Sequence, residues 1–118
     1  MAAGGLTGTF ARYVLAGWVY GVAGAGFPYG TLVVNLLGCF LIGFLAALAE
    51  ARALLPPNAR VLLMAGFCGA FTTFSTFMLE TGTLIKGGEM MKALLNIVLS
   101  VVVGFVVFRL GGLVAELL

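Results

Sequence analysis

Polar and small residues recur at helical spacing inside two very apolar stretches of the chain. The two sets are Thr31, Asn35 and Gly38, at i, i+4 and i+7, and Asn96, Ser100 and Gly104, at i, i+4 and i+8. In each set the spacing places the residues on one face of a helix. The amide and hydroxyl groups on such a face either line a path for a polar solute or hydrogen-bond a neighbouring helix. The spacing alone leaves both interpretations open.

Arg12 is a basic residue within the first apolar stretch. Its guanidinium keeps its charge in proteins, so the side chain must reach the interface, find a partner, or face water. Glu50, Glu80 and Glu116 are the candidate acidic partners. If Arg12 faces water instead, it is a fixed positive charge at the mouth of an anion path.

The third apolar stretch contains residues that weaken a helix. Two glycines and four Ser or Thr residues fall within residues 66–76. Glycine has low helix propensity, and Ser and Thr offer the backbone competing hydrogen bonds, so we predict a broken helix near Gly69–Thr73. At membrane depth, such a break is tolerated only where protein or a water-filled cavity satisfies the freed groups. Freed carbonyls suit a hard cation, and freed N–H groups suit an anion.

Phenylalanines in the same stretch form a predicted stripe. Phe71, Phe74 and Phe77 recur at i, i+3 and i+6. Such a stripe is usually core or lipid-facing packing, but the ring edge carries positive partial charge and can stabilise an anion. Glu80 follows the stripe, and we expect it either to pair with Arg12 or Lys86 or to reach water.

The composition places these residues in a membrane. Of the 118 residues, 63% are hydrophobic and only 8% are charged, and the mean hydropathy is +1.23. Soluble domains carry roughly 25% charged residues. A soluble domain of this length also has too little interior to bury so many apolar side chains.

The spacing of the charges sets the number of spans. The 37 residues between Arg12 and Glu50 contain no charge. A helix of that length would be about 55 Å long, whereas the bilayer core is about 30 Å thick, so the stretch must form two spans. We predict an all-α, multi-pass protein of the cell (inner or plasma) membrane, with residues 1–118 as one domain. Its four transmembrane helices are expected at about residues 6–22, 31–49, 61–85 and 91–110.

The predicted loops show almost no charge bias. Arg52, Arg60 and Arg109 lie on one side of the membrane, and Lys86 and Lys92 lie on the other. Cytoplasmic loops normally carry the excess of Lys and Arg. Three basic residues on one side against two on the other give too little bias to fix one orientation, so the chain can insert in both. We therefore expect it to pair with its own inverted copy as an antiparallel homodimer.

The same sequence excludes several other functions. A net charge of +2 gives no electrostatic footprint for nucleic acid. There is no histidine, and no metal cluster or nucleophile–base pair is visible in the sequence, so we do not expect an enzyme. Cys39 and Cys68 lie in apolar runs and do not form a CxxC pair, which is typical of small core residues.

Three blocks of sequence resemble the CrcB/Fluc family of fluoride channels over nearly the whole chain. They are Gly4-Gly5 with Arg12-Tyr13, Gly30-Thr31-Leu32 with Asn35 and Gly38, and Gly69-Ala70-Phe71-Thr72-Thr73-Phe74-Ser75-Thr76-Phe77 with Glu80. The third block is long and unusual, so the resemblance is specific. Two positions depart from the family pattern: Gly104 stands where a second hydroxyl is expected, and Ala70 where many members have glycine.

The resemblance implies a dual-topology dimer of four-helix subunits with two pores. It also implies a broken third helix and one central sodium ion, clamped by backbone carbonyls from both subunits. The residues that match these functional positions are Gly69 and Thr72 for the sodium carbonyls, Phe74, Phe77 and Asn35 for the pore, and Thr31 and Ser100 for its polar track.

The implied function is passive export of cytoplasmic fluoride down its gradient. Asn35, Thr31 and Ser100 would replace the water of the anion with hydrogen-bond donors, and Arg12 would raise the anion concentration at the vestibule. Two alternatives stay open. A dual-topology, proton-coupled exporter of cationic drugs needs an acid deep in a span, and the first, second and fourth spans contain none. The other alternative is a structural membrane subunit without transport.

Overall fold

The structure is a computed structural model that describes residues 2–24, 26–50, 56–72 and 74–117, except for the side chain of Ser75. Every regular element in these ranges is helical. The elements are α1 (Ala2–Ala23), α2 (Tyr29–Glu50), α3 (Pro57–Arg60), the π-helical segment π1 (Val61–Cys68), α4 (Gly69–Phe71), α5 (Phe74–Lys86), α6 (Met90–Val98), the π-helical segment π2 (Leu99–Val103) and α7 (Gly104–Leu117). We call α3 to α5 the third run and α6 to α7 the fourth run.

In the described part of the chain, three helical runs are long and apolar enough to cross a membrane. They are Tyr29–Glu50, Pro57–Lys86 and Met90–Leu117. The 22-residue α1 is not among them, because Arg12 and several glycines lower its hydropathy. The described residues are therefore all-helical and include several helices capable of spanning a membrane, and the crossing of α1 stays a prediction.

The helices are longer than the predicted spans. The largest difference is at the C-terminus, where α7 continues to Leu117 although the predicted span ends at residue 110. Arg109 lies within this helix and its side chain is exposed. A helix does not end where its residues become charged, because its backbone hydrogen bonds form equally well outside the hydrocarbon.

The third run is interrupted after α4. Thr72 has an extended backbone with φ −93° and ψ 156°, and α5 begins at Phe74. Both the N–H and the Oγ1 hydroxyl of Thr72 donate to the carbonyl of Cys68, at 3.1 and 3.0 Å. The hydroxyl thus contributes a local side-chain bond at the helix end. A break at mid-membrane depth in this segment stays a prediction, and Thr73 lies outside the described residues.

The interruption separates the phenylalanines that the sequence places in one stripe. Phe71 is buried, with 3% of its surface exposed, while Phe74 is 71% exposed. Phe71 stacks on Phe67, with ring centroids 5.5 Å apart. Because an extended residue shifts the helical phase, Phe71 packs in the core and only Phe74 and Phe77 remain paired.

Backbones approach closely where α2 crosses α7. A Cβ atom at Gly43 would collide with the carbonyl oxygen of Phe108, and one at Gly111 would collide with that of Phe40. Small residues at helix crossings permit this approach, which is the usual way in which membrane helices associate. Most large apolar side chains, such as Leu6, Trp18 and Val101, are instead exposed on the outer surface of the chain.

Candidate ion path

A cavity of about 390 Å³ lies between α2, the third run and the fourth run. We call it the first cavity. It is lined by six of the eight residues to which the sequence assigns a role: Asn35, Gly69, Thr72, Phe74, Phe77 and Ser100. These residues come from three separate stretches of the chain, so their meeting is a property of the fold.

Ser100 is one of the residues that line this cavity. Its Oγ atom is buried and, within the described part of the chain, has no hydrogen-bond partner. Buried polar atoms are nearly always paired, so an unpaired one needs an explanation. Ser100 lies in π2, and π-helical turns inside α-helices are frequent at functional sites. The Ser100 Oγ atom is thus a buried hydrogen-bonding group beside the cavity for which the described residues supply no partner.

Two phenylalanine rings form another part of the lining. The ring centroids of Phe74 and Phe77 are 5.8 Å apart, and their planes are inclined at 59°. Phe77 is 6% exposed, whereas Phe74 is 71% exposed. Because the two rings are tilted, their edges point in different directions. The edge of an aromatic ring is electropositive, so it can face an anion.

Thr31, Arg12 and Glu80 line a second cavity, of about 530 Å³. The Glu80 carboxylate accepts hydrogen bonds from the Thr31 Oγ1 hydroxyl and from the Tyr20 hydroxyl, the latter at 3.0 Å. These bonds join α5 to α1 and α2. The hydroxyl of Thr31 is therefore engaged by a carboxylate, and Thr31 lies apart from the six residues of the first cavity.

Arg12 contacts the end of the interrupted helix. Its Nε atom donates to the carbonyl of Ala70 at 3.2 Å. The last carbonyls of a helix have no N–H partner within the helix, and a positive charge there is favourable. The partner of Arg12 in the described residues is thus a backbone carbonyl rather than one of the three glutamates considered from the sequence.

Comparison with known proteins gives the family. Residues 1–112 match the family described as "CrcB-like protein, Camphor Resistance (CrcB)". The chain belongs to the CrcB family. The "Fluoride-specific ion channel FluC" of Chlorobaculum tepidum is 50% identical over 117 residues, covering 99% of this chain and 92% of the relative. The protein of the same name from Geobacter metallireducens is 46% identical over 112 residues, covering 95% of this chain and 90% of the relative.

The family resemblance found in the sequence is confirmed by these comparisons. These relatives are named as ion channels and not as enzymes, which agrees with the expectation from the sequence that the protein is not an enzyme.

The polar stripe of the fourth run divides into separate roles in this CrcB protein. The Asn96 Nδ2 atom donates to the Thr81 Oγ1 atom at 3.0 Å, and Thr81 donates to the carbonyl of Phe77 at 2.8 Å. Asn96 and Thr81 are 2% and 5% exposed. Asn96 therefore joins α6 to α5, whereas Ser100, one turn later, lines the first cavity.

Gly38 has a packing role that its position on the polar face of α2 does not reveal. A Cβ atom at Gly38 would collide with the Cγ2 atom of Thr72. The missing side chain allows the interrupted segment to lie against α2. At Gly104, by contrast, a Cβ atom would lie 3.5 Å from the Cys39 Sγ atom, which is an ordinary contact.

Proposed function

We propose that this CrcB protein is a passive, fluoride-selective channel that lets cytoplasmic fluoride leave the cell down its gradient. The observation that carries the proposal is the buried Ser100 hydroxyl, which has no partner among the described residues and belongs to a residue that lines one cavity with Asn35, Phe74 and Phe77. The names of the relatives support fluoride as the ion.

The proposed path replaces the tightly held water of fluoride. The Asn35 amide and the Ser100 hydroxyl donate hydrogen bonds, and hydrogen bonds to a charged group are stronger than neutral ones. The edges of Phe74 and Phe77 add weaker attraction, which lets the ion leave again. Because Gly104 has no hydroxyl, the donors of this path end at Ser100 on the fourth run.

The second cavity is the proposed vestibule. Arg12 supplies a positive charge that raises the local anion concentration. Thr31 lines the same space, but its hydroxyl is bonded to Glu80. In this proposal Thr31 therefore orients the Glu80 carboxylate and can donate to an anion only when that bond opens.

An inverted second copy is proposed to complete the path. Phe74 is 71% exposed in one subunit, although a ring that lines a closed path must be covered by protein. The nearly even distribution of Lys and Arg permits both orientations in the membrane. An antiparallel homodimer satisfies both requirements.

The carbonyls of Gly69 and Thr72 are the proposed ligands of a structural sodium ion between the two copies. They fit a hard cation, because α4 ends at Phe71 and backbone oxygens suit such ions. The Arg12 guanidinium, which donates to the adjacent carbonyl of Ala70, repels a cation. Carbonyls from both copies are therefore needed to outweigh this repulsion. When bound, sodium would supply a fixed positive charge at the dimer centre.

Fluoride efflux from liposomes is the direct test. The purified protein is reconstituted into vesicles loaded with potassium fluoride, efflux is started with valinomycin, and a fluoride electrode follows the release. We expect efflux from the wild type and about 2- to 12-fold slower efflux from Phe74→Ile, since an edge contact is worth about 0.5–1.5 kcal/mol. Phe105→Ile is the matched control, because Phe105 is also exposed, at 66%, but lies on α7.

The outcomes separate the proposal from its alternatives. Unchanged efflux from Phe74→Ile removes this ring from the mechanism. Absence of efflux from the wild type favours a structural subunit. Transport of an organic cation that requires a proton gradient favours the exporter, and chloride-loaded vesicles test selectivity.

A further inference from the structure

Three sulfur-containing residues line the first cavity. Cys39 lies on α2, and Met64 and Cys68 lie on π1; all three line the cavity. Neither cysteine is in a disulfide. The proposed anion path uses none of them, and the sequence offers only the interpretation of small core residues for the two cysteines.

The placement of these residues puts sulfur on two walls of the cavity. Met64 and Cys68 are four residues apart, so they share one face of their helix. The Cys39 sulfur is directed toward the fourth run, since a Cβ atom at Gly104 would lie 3.5 Å from it. Cys68 is buried, with 3% of its surface exposed, and its carbonyl accepts two hydrogen bonds from Thr72.

We propose that Cys39, Cys68 and Met64 form a binding site for a soft, thiophilic metal ion. Thiolate and thioether sulfur select soft metals over the hard cations that backbone oxygens bind. Within the described residues no group of three or more His, Cys, Asp or Glu side chains is placed to hold a metal. In the proposal the Met64 thioether is the third ligand. Because its ligands are sulfur atoms, the site is chemically distinct from the proposed sodium site.

Binding needs no oxidant. When a divalent metal binds, each thiol forms one sulfur–metal bond and releases its proton to water, so two protons leave for each metal ion. The thioether donates a lone pair without losing a proton. The metal keeps its oxidation state, and the product is a neutral dithiolate complex in an apolar cavity, which avoids the cost of burying a net charge.

Occupation of the site is expected to stop ion flow. This consequence rests on the proposed function, because the metal would fill the cavity that also contains Asn35 and Ser100. Soft metals would then act as inhibitors of the channel from a site inside the ion path.

Metal binding is tested first, without transport. The full-length protein in detergent is titrated with Hg²⁺, while the ultraviolet absorption of the mercury–thiolate bond and the number of free thiols are measured. We expect one Hg²⁺ per chain to consume both thiols. Cys39→Ala and Cys68→Ala should each weaken Hg²⁺ binding, in competition with a small thiol, by at least about tenfold, because the second sulfur binds intramolecularly.

Met64→Leu tests the thioether against a matched control. We expect it to weaken Hg²⁺ binding, whereas Met78→Leu should not, since Met78 is 43% exposed on α5. An end point of two Hg²⁺ per chain, or wild-type affinity in either cysteine variant, would overturn the proposal. The wild-type end point decides this even if a variant fails to fold.

Transport is the second and separate measurement. We expect Hg²⁺ to block fluoride efflux from wild-type vesicles and to leave efflux from the variant that combines Cys39→Ala with Cys68→Ala unaffected. If Hg²⁺ binds one per chain but no vesicle releases fluoride, the proposed function fails and the metal site stands. If vesicles release fluoride but the end point is two per chain, the site fails and the channel stands.

Discussion

Removing the Ser100 hydroxyl should separate stability from conduction. Within the described residues the Ser100 Oγ atom is buried without a partner, and an unsatisfied buried hydroxyl destabilises a fold by about 1–3 kcal/mol. Ser100→Ala should therefore leave the free energy of unfolding unchanged or raise it by about 1 kcal/mol. Most buried polar groups behave in the opposite way, because their removal leaves a partner unpaired.

The same substitution should slow fluoride efflux. A hydrogen bond to a charged group is worth about 1.5–3 kcal/mol, which corresponds to about a 10- to 100-fold slower passage if the bond is made at the barrier. Unfolding is measured in detergent without fluoride, and efflux is measured with a fluoride electrode. Thr83→Ala is the control, because the Thr83 hydroxyl is exposed and bonds its own helix.

Two results would refute this reasoning. A loss of stability of 1 kcal/mol or more in Ser100→Ala would mean that the hydroxyl has a partner in the protein. Efflux equal to that of the wild type would mean that fluoride does not meet Ser100.

Two further substitutions test packing around the path. Thr81→Val should lower the free energy of unfolding in detergent by about 1 kcal/mol, since it leaves the buried Asn96 amide without its acceptor, and it should keep efflux; unchanged stability would contradict the bond. Gly38→Ala should destabilise the protein by about 1–3 kcal/mol and slow efflux, because the new Cβ must displace Thr72. Gly104→Ala is the control, because its new Cβ would make only an ordinary contact with a neighbouring sulfur, and it should leave the efflux rate within twofold of the wild type. Equal effects at the two glycines would contradict the close approach of α2 to Thr72.

The membrane class and the family could be predicted from the sequence because they depend on long, local patterns. Charge-free stretches and the phenylalanine-rich block starting at Gly69 are read directly along the chain. The helix ends could not be predicted as closely. The length of an apolar stretch shows how much of the chain can lie in the hydrocarbon, and not where the helix ends. Nothing in the sequence indicated the π-helical segments π1 and π2.

Contacts between distant residues could not be predicted. Glu80 was expected either to pair with Arg12 or Lys86 or to reach water, and its partners in the structure are Tyr20 and Thr31. Charge alone suggested ion pairs, but hydroxyls satisfy a carboxylate equally well where the helices place them closer. Arg12 likewise binds a carbonyl 58 residues away.

Spacing also could not separate residues on one helix face. Asn96 and Ser100 share a stripe, but the first bonds another helix and the second is unpartnered within the described residues. The spacing predicted which face of the helix these two residues share, but not which neighbouring helix lies opposite each of them. Interpretation of polar residues in membrane helices therefore needs the positions of the adjacent helices.

The central claim is that an anion passes through the first cavity. Asn35→Asp tests it most directly, because the change is nearly isosteric and adds a negative charge to the lining. At about 4 Å, with an effective dielectric constant of about 20, two like charges repel by about 4 kcal/mol. We predict that fluoride efflux from Asn35→Asp vesicles falls at least about 100-fold below that of the wild type, with the protein still folded. Efflux at the wild-type rate would contradict an anion path through this cavity.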